Sequence, residues 1–155
     1  MSGYAAVITA LPLFKGYTPD GAKRLLESGD IRECAAGELL FSEGDKASFV
    51  LLVLAGKLEV FVQRNGQDLI LNQSGPSTIL GELAVLCGIP RSASVRVLEN
   101  STVLQWEASA FRSLMLRDVF LSERIFRESL RTLIDKEKSL IATLTESKAK
   151  ATESV

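Results

Sequence analysis

The chain is predicted to be α+β: an antiparallel β-roll, a jelly-roll-like barrel, flanked by N-terminal helices and a long C-terminal helix. Three observations predict it. Residues from about 31 to 107 carry short apolar runs broken by turn residues, the pattern of a small all-β sandwich or barrel. The stretches on either side, 1–30 and 108–155, show helical spacing of apolar residues. The chain has 155 residues, 46% hydrophobic and 24% charged, which suits a single domain with its own core.

The elements follow in order. Ala5, Val7, Ile8 and Leu11 lead to Pro12 as a first helix. Thr18-Pro19-Asp20 opens a second through Leu25 and Leu26, because proline fits the first helical position behind a threonine cap; Gly29 stops it. Leu39-Leu40-Phe41 reads as a strand ending at the turn Glu43-Gly44-Asp45. Phe49 to Leu54 reads as a buried strand ended by Ala55-Gly56, after which Leu58, Val60 and Val62 alternate with Glu59 and Phe61. Arg64-Asn65-Gly66-Gln67 is a hairpin signal, since Asn-Gly takes the positive φ angles of a type I′ turn; Leu69, Ile70 and Leu71 form the return. Ser92–Leu98 and Thr102–Trp106 flank the turn Glu99-Asn100-Ser101, with Trp106 as core packing. Phe111, Leu114 and Met115 mark a short helix. A long one is expected from about Phe120 to Leu144, with the polar residues Thr145 to Val155 fraying.

Composition excludes several function classes. Nineteen acidic against eighteen basic residues give a formal charge of −1, without the basic excess that nonspecific binding to nucleic acid or anionic lipid requires. There is no histidine, which removes Ser-His and Cys-His nucleophiles, histidine zinc sites and a histidine-lined cupin. Glu82 has no second carboxylate placed nearby by sequence for acid–base work. Cys34 and Cys87 read as reduced thiols, with Cys87 packed under the short helix that carries it. The start Met1-Ser2-Gly3-Tyr4 does not resemble a signal peptide, and the apolar run Phe49–Ala55 is too short to span a bilayer. The expectation is a soluble cytoplasmic protein that is not an enzyme and holds neither metal nor cofactor.

Residues 81–95, Gly-Glu-Leu-Ala-Val-Leu-Cys-Gly-Ile-Pro-Arg-Ser-Ala-Ser-Val, carry the chemistry. Gly81 permits close backbone approach and begins a short helix, Glu82 to Leu86, which Gly88 ends. The free N–H groups of its first turn favour an anion. Arg91, held behind Pro90, is a permanently charged fork suited to phosphate, and Ser92 adds a hydroxyl and an N–H. Glu82, an acceptor when ionised, suits a sugar hydroxyl. Glu82 and Arg91 could also be no more than a surface ion pair.

Gly81-Glu82-Leu83-Ala84, a spacer, then Pro90-Arg91-Ser92-Ala93-Ser94-Val95 resembles the phosphate-binding cassette of cyclic nucleotide-binding domains. That family includes catabolite activator-type transcription factors and regulatory subunits of cAMP-dependent kinase. The resemblance extends to the helical lead-in, Glu43-Gly44-Asp45, Gly56 and the long last helix. It implies a cassette at 81–93 in which Gly81 and Leu83 offer N–H groups and Glu82 takes the ribose 2′-hydroxyl. Arg91 would pair with the exocyclic phosphate oxygen, while Ser92 and Ala93 complete the cradle. Val60, Leu71 and Asn72 would line the base and sugar pocket. The last helix would close over the base with Arg131, Thr132 and Lys136, although Lys136 and Glu137 stand where catabolite activators place a hydroxyl pair. The ligand implied is cAMP, with cGMP open. Gly75-Pro76-Ser77-Thr78-Ile79-Leu80 departs from the Gly-Asp-Phe that commonly precedes the cassette.

Phe126, Leu130, Leu133, Glu137, Leu140 and Leu144 are spaced four and three apart, the rhythm of a coiled-coil seam, and Ile125, Ile134 and Ile141 widen it. About 25 helical residues reach roughly 37 Å. Such a helix either covers its own barrel or pairs with a second copy or an effector. Glu137 in the seam would then need Arg131, Lys136 or Lys138 of the facing chain. No helix-turn-helix follows it, so direct DNA binding is not expected. The expected function is a cyclic nucleotide sensor that signals through this helix to a partner or second protomer. The alternative is a dimerisation module of the same fold that binds another ligand, such as a cyclic dinucleotide, or none. Replacing Arg91 by alanine is expected to weaken binding and leave the stability of the free protein nearly unchanged.

Overall fold

The computed structural model describes residues 2–153. It divides into two compact units that meet between Val119 and Phe120.

The first unit opens with helix α1 (Ser2–Ala10), a 3-10 turn (Pro12–Phe14) and α2 (Pro19–Glu27). Thr18 caps α2 as its sequence requires: the Thr18 side chain accepts a hydrogen bond from the Gly21 N–H at 3.0 Å. Six strands follow: β1 (Asp30–Cys34), β2 (Leu39–Phe41), β3 (Phe49–Arg64), β4 (Gln67–Ser74), β5 (Ile79–Leu80) and β6 (Ser94–Glu107). Every pairing is antiparallel. Helix α3 (Glu82–Cys87) interrupts the strands before β6, and α4 (Ala108–Arg117) closes the unit.

Two long strands organise the sheet, where the sequence suggests four short ones. β3 runs through Ala55-Gly56 and β6 runs through Glu99-Asn100-Ser101. Both bend instead of breaking, because their irregularities face each other: the register shifts between Val53 and Leu58 opposite Val97 to Val103. Gly56, with φ +98°, permits the bend, and a Cβ there would lie 2.6 Å from the Cα of Ser101. The Ser101 hydroxyl bridges the irregularity, accepting from the Lys57 N–H and donating to the Glu99 carbonyl. Beyond the bend, the two halves take different neighbours. β1 and β5 flank the halves carrying Phe49–Ala55 and Thr102–Glu107; β2 and β4 flank those carrying Leu58–Phe61 and Ser94–Val97. This makes a roll. Its core gathers Leu51, Val53, Leu58, Val60, Val95, Val97 and Val103 from both halves, with Cys34, Leu40 and Phe41. The β3–β4 hairpin turns at Asn65 and Gly66, both at positive φ as expected.

Trp106 is fully buried and donates its ring N–H to Ser28 Oγ at 3.0 Å, tying the lead-in to β6. Cys34 is buried, whereas Cys87 is exposed and not packed beneath α3. The reason is α3's brevity: its buried face is taken by Glu82, Ala84 and Val85, which leaves Cys87 on the opposite side.

The second unit begins at Phe120, the second residue of helix α5 (Val119–Glu153). It continues well beyond Leu144, because Ser-Lys-Ala-Lys-Ala contains neither proline nor glycine and favours helix. Phe126, Leu130, Leu133, Ile134, Leu140, Ile141 and Leu144 form an exposed apolar stripe, while Ile125 is buried. No helix among the described residues is long and apolar enough to cross a membrane.

Candidate functional site

Helix α3 is set between two glycines in the left-handed region, Gly81 at φ +82° and Gly88 at φ +68°. β5 delivers the chain to Gly81, and residues 88–93 carry it away into β6. Gly81 is required twice over. Its backbone conformation is strained for any residue with a Cβ, and such a Cβ would lie 2.2 Å from Arg91 Nη1. The gap between glycine and guanidinium is closed by a hydrogen bond, Arg91 Nη1 donating to the Gly81 carbonyl at 2.9 Å. The arginine therefore stands at the mouth of α3.

Arg91 is 2% exposed. Its main chain is pinned to the turn after β2: the Gly44 N–H donates to the Arg91 carbonyl, and the Arg91 N–H donates to the Asp45 carbonyl, each at 2.8 Å. Its guanidinium lies 4.0 Å from the centre of the Phe41 ring and 5.0 Å from that of Phe49, and Nη2 donates to the Phe49 carbonyl. Among the described residues, the buried Nε has no hydrogen-bond partner. Burial lowers the pKa of Arg91, opposed by the charges of Asp45 and Glu82. Guanidinium basicity is high enough that the group stays a cation at neutral pH. A buried cation with an unused N–H, beside the start of a helix, suits a small anion in charge and in donors.

This burial revises one expectation. Arg91→Ala removes a fork packed against Phe41 and Phe49 together with its hydrogen bonds to the Gly81 and Phe49 carbonyls, so it is expected to destabilise the free protein.

The other expected residues divide. Gly81, Glu82 and Arg91 come together: Glu82 is buried in the first turn of α3 and its charge acts on Arg91. Leu83 is half-buried on the same turn. Ser92 is exposed and Ala93 half-buried, the latter packed on the core cluster that includes Val60 and Phe41. Val60 faces Asn72 across the β3–β4 ladder. Leu71 is the unpaired residue of a bulge there, since Phe61 pairs with Ile70, and it is exposed. Arg131 and Thr132 belong to the second unit, where both are exposed; Arg131 pairs with Glu128 at 3.4 Å and Thr132 Oγ1 donates to the Glu128 carbonyl. A cavity of about 260 Å³ opens elsewhere, among Ser42, Glu43, Phe61, Gln63 and Ser94, and none of the expected residues lines it.

Phe41, Phe49 and the Gly44-Asp45 turn were not legible as parts of the site. The first two read only as strand residues, and the turn as a turn and a part of the family resemblance, with no tie to Arg91. The one signal was position, an aromatic residue at each end of a short connection.

The sequence profile described as the cyclic nucleotide-binding domain matches residues 31–118, more than half of the chain. The chain belongs to the cyclic nucleotide-binding domain family. It is 28% identical, over 130 residues, to the cAMP-dependent protein kinase regulatory subunit of Mycosarcoma maydis, covering 84% of this chain and 23% of that protein. It is 27% identical over 88 residues to the lysophospholipase NTE1 of Cryptococcus neoformans, covering 57% of this chain and 5% of that enzyme. The chain thus spans less than a quarter of the length of either relative. Among solved structures it resembles the catabolite activator protein of Thermus thermophilus, with a TM-score of 0.74 and 27% identity over 83% of this chain and 61% of that one. A cyclic nucleotide-binding-like protein from Brucella abortus shares the fold at 23% identity and a TM-score of 0.60, over 75% of this chain and 99% of that one.

Proposed function

We propose that this domain is a regulatory module that binds cAMP through the cassette and passes the bound state on through α5. The observation that carries the proposal is Arg91: 2% exposed, set at the mouth of α3, with Nε unpartnered. A cyclic phosphate carries a single negative charge, which one guanidinium neutralises. Gly81 and Leu83 offer N–H groups to it, with Ser92 and Ala93 beside them. Glu82 accepts from the ribose 2′-hydroxyl, and its charge disfavours a dianionic, acyclic phosphate. Val60, Leu71 and Asn72 are proposed to line the base and sugar, and Arg131 and Thr132 to face the base, on the strength of the resemblance. The preference for cAMP over cGMP draws on relatives named for cAMP or as catabolite activators.

The exposed stripe on α5 suits a second copy of the helix, because apolar residues four and three apart match the seam of a coiled coil. A homodimer is therefore the proposed route of output, with an effector protein as the other recipient.

Titration calorimetry of the protein with cAMP, cGMP and 5′-AMP tests the binding reading. The expected result is saturable binding of cAMP, weaker binding of cGMP and none of 5′-AMP. Arg91→Lys, which keeps the charge but loses the fork, is expected to weaken cAMP by roughly 10- to 100-fold, the loss of a charged hydrogen-bonding pair. No heat or affinity with either cyclic mononucleotide, together with binding of a cyclic dinucleotide or of nothing, overturns it in favour of a dimerisation module.

A further inference from the structure

We propose that Phe41 and Phe49 are positioning residues for Arg91, holding its guanidinium in binding orientation at the mouth of α3 before any nucleotide arrives. The inference rests on the reading of Arg91 as the phosphate partner. Besides its bond to Gly81 and the nearby charge of Glu82, Arg91 is held by one segment, residues 41–49. Phe41 ends β2 and offers a ring face at 4.0 Å. Gly44 and Asp45 pin the Arg91 main chain from the intervening turn. Phe49 begins β3 and offers both a ring, at 5.0 Å, and its carbonyl.

The two rings are 5.9 Å apart and inclined at 69°, so they form a corner, not a parallel sandwich. A planar guanidinium lodged in such a corner has its faces shielded by aromatic carbon, while its N–H edge is left to carbonyls and to an incoming anion. Both rings pack with the core cluster of the roll, so strand pairing sets their position and no ligand is needed to do so. A solvent-exposed arginine would lose rotamer freedom on gripping a phosphate; here that freedom is already lost in folding. The corner also excludes water from the cation, which strengthens its attraction for an anion.

The test compares cAMP affinity of the unmodified protein with that of Phe41→Leu, Phe49→Leu and Phe49→Tyr, alongside the Arg91 Nε–H signal in ¹⁵N NMR spectra of the nucleotide-free proteins. Each leucine variant is expected to bind cAMP about 5- to 30-fold more weakly, the loss of one desolvated cation–π contact. Its Arg91 Nε–H is expected to exchange faster with solvent. Phe49→Tyr keeps the ring and is expected to restore both. A leucine variant that melts as the unmodified protein does, yet binds cAMP equally well and keeps a slowly exchanging Arg91 Nε–H, overturns the proposal. Should Phe41→Leu fail to fold, half-buried Phe49 carries the comparison. An unmodified protein that fails to bind cAMP is a different failure: it sinks the underlying reading, while a protected Arg91 Nε–H that the leucine substitutions release still supports the placement of the guanidinium.

Discussion

Gly81 joins two demands in one position: a backbone at φ +82° and a space that the Arg91 fork occupies. Gly81→Ala should therefore act twice. The left-handed backbone costs roughly 1–3 kcal/mol for a residue with a Cβ, which lowers the melting temperature by several degrees. The added methyl group also pushes Nη1 off the Gly81 carbonyl, so cAMP affinity is expected to fall at least as far as with Arg91→Lys. Thermal melts and calorimetry on the same variant check both parts. A variant that loses stability but binds normally would separate the glycine from the site. That Gly81 and Arg91 belong together was legible, because glycine, helix start and arginine lie within eleven residues. That the arginine is buried was not, because burial depends on Phe49, 42 residues away in the chain.

At the scale of elements, the β3–β4 hairpin is fastened by charge as well as by its ladder. Arg96 on β6 reaches Glu59 on β3 at 2.7 Å and Asp68 on β4 at 2.8 Å, with its guanidinium 4.2 Å from the centre of the Phe61 ring. The hydrogen bond from Arg96, with a second from Gln63, holds the Asp68 carboxyl below its ordinary pKa. A carboxylate depressed in the folded state stabilises the fold above its unfolded pKa, and this contribution is lost as pH falls through the lower folded value. Asp68→Asn should accordingly melt below the unmodified protein at neutral pH, and the gap should close as the solution is acidified past that lowered pKa. Asp68 is well exposed, so the gap is small. Melts across the acid range decide it: a gap that stays constant means the ion pair is not its source. The hairpin itself was readable from Asn65-Gly66. The continuity of β3 through Gly56 was not, because the residue that turns a break into a bend, Ser101, comes from β6.

At the scale of the whole molecule, a six-stranded roll and an amphipathic helix share one chain as two separate units. Leu133, Leu140 and Leu144 are each exposed by 44% or more, on a stripe that only Glu137 interrupts between Leu133 and Leu144. Apolar surface arranged as a stripe gains by being covered. The expected outcome is a dimer in sedimentation experiments that Leu133→Glu and Leu140→Glu convert to a monomer, with cAMP binding by the roll retained. An unmodified chain that sediments as a monomer removes the second copy as the partner and leaves an effector protein.

The class of fold, and the nearness of Gly81, Glu82 and Arg91, were readable from the residues alone. These depend on local properties: alternation along a strand, a proline behind a threonine cap, a glycine at each end of a short helix. Tertiary structure alone decided that Arg91 is buried, that two phenylalanines frame it, that four apparent strands are two bent ones and that Cys87 faces outward. Each of those outcomes depends on groups brought together from distant parts of the chain, and packing selects them by which surfaces meet, a choice that no local pattern of residues encodes.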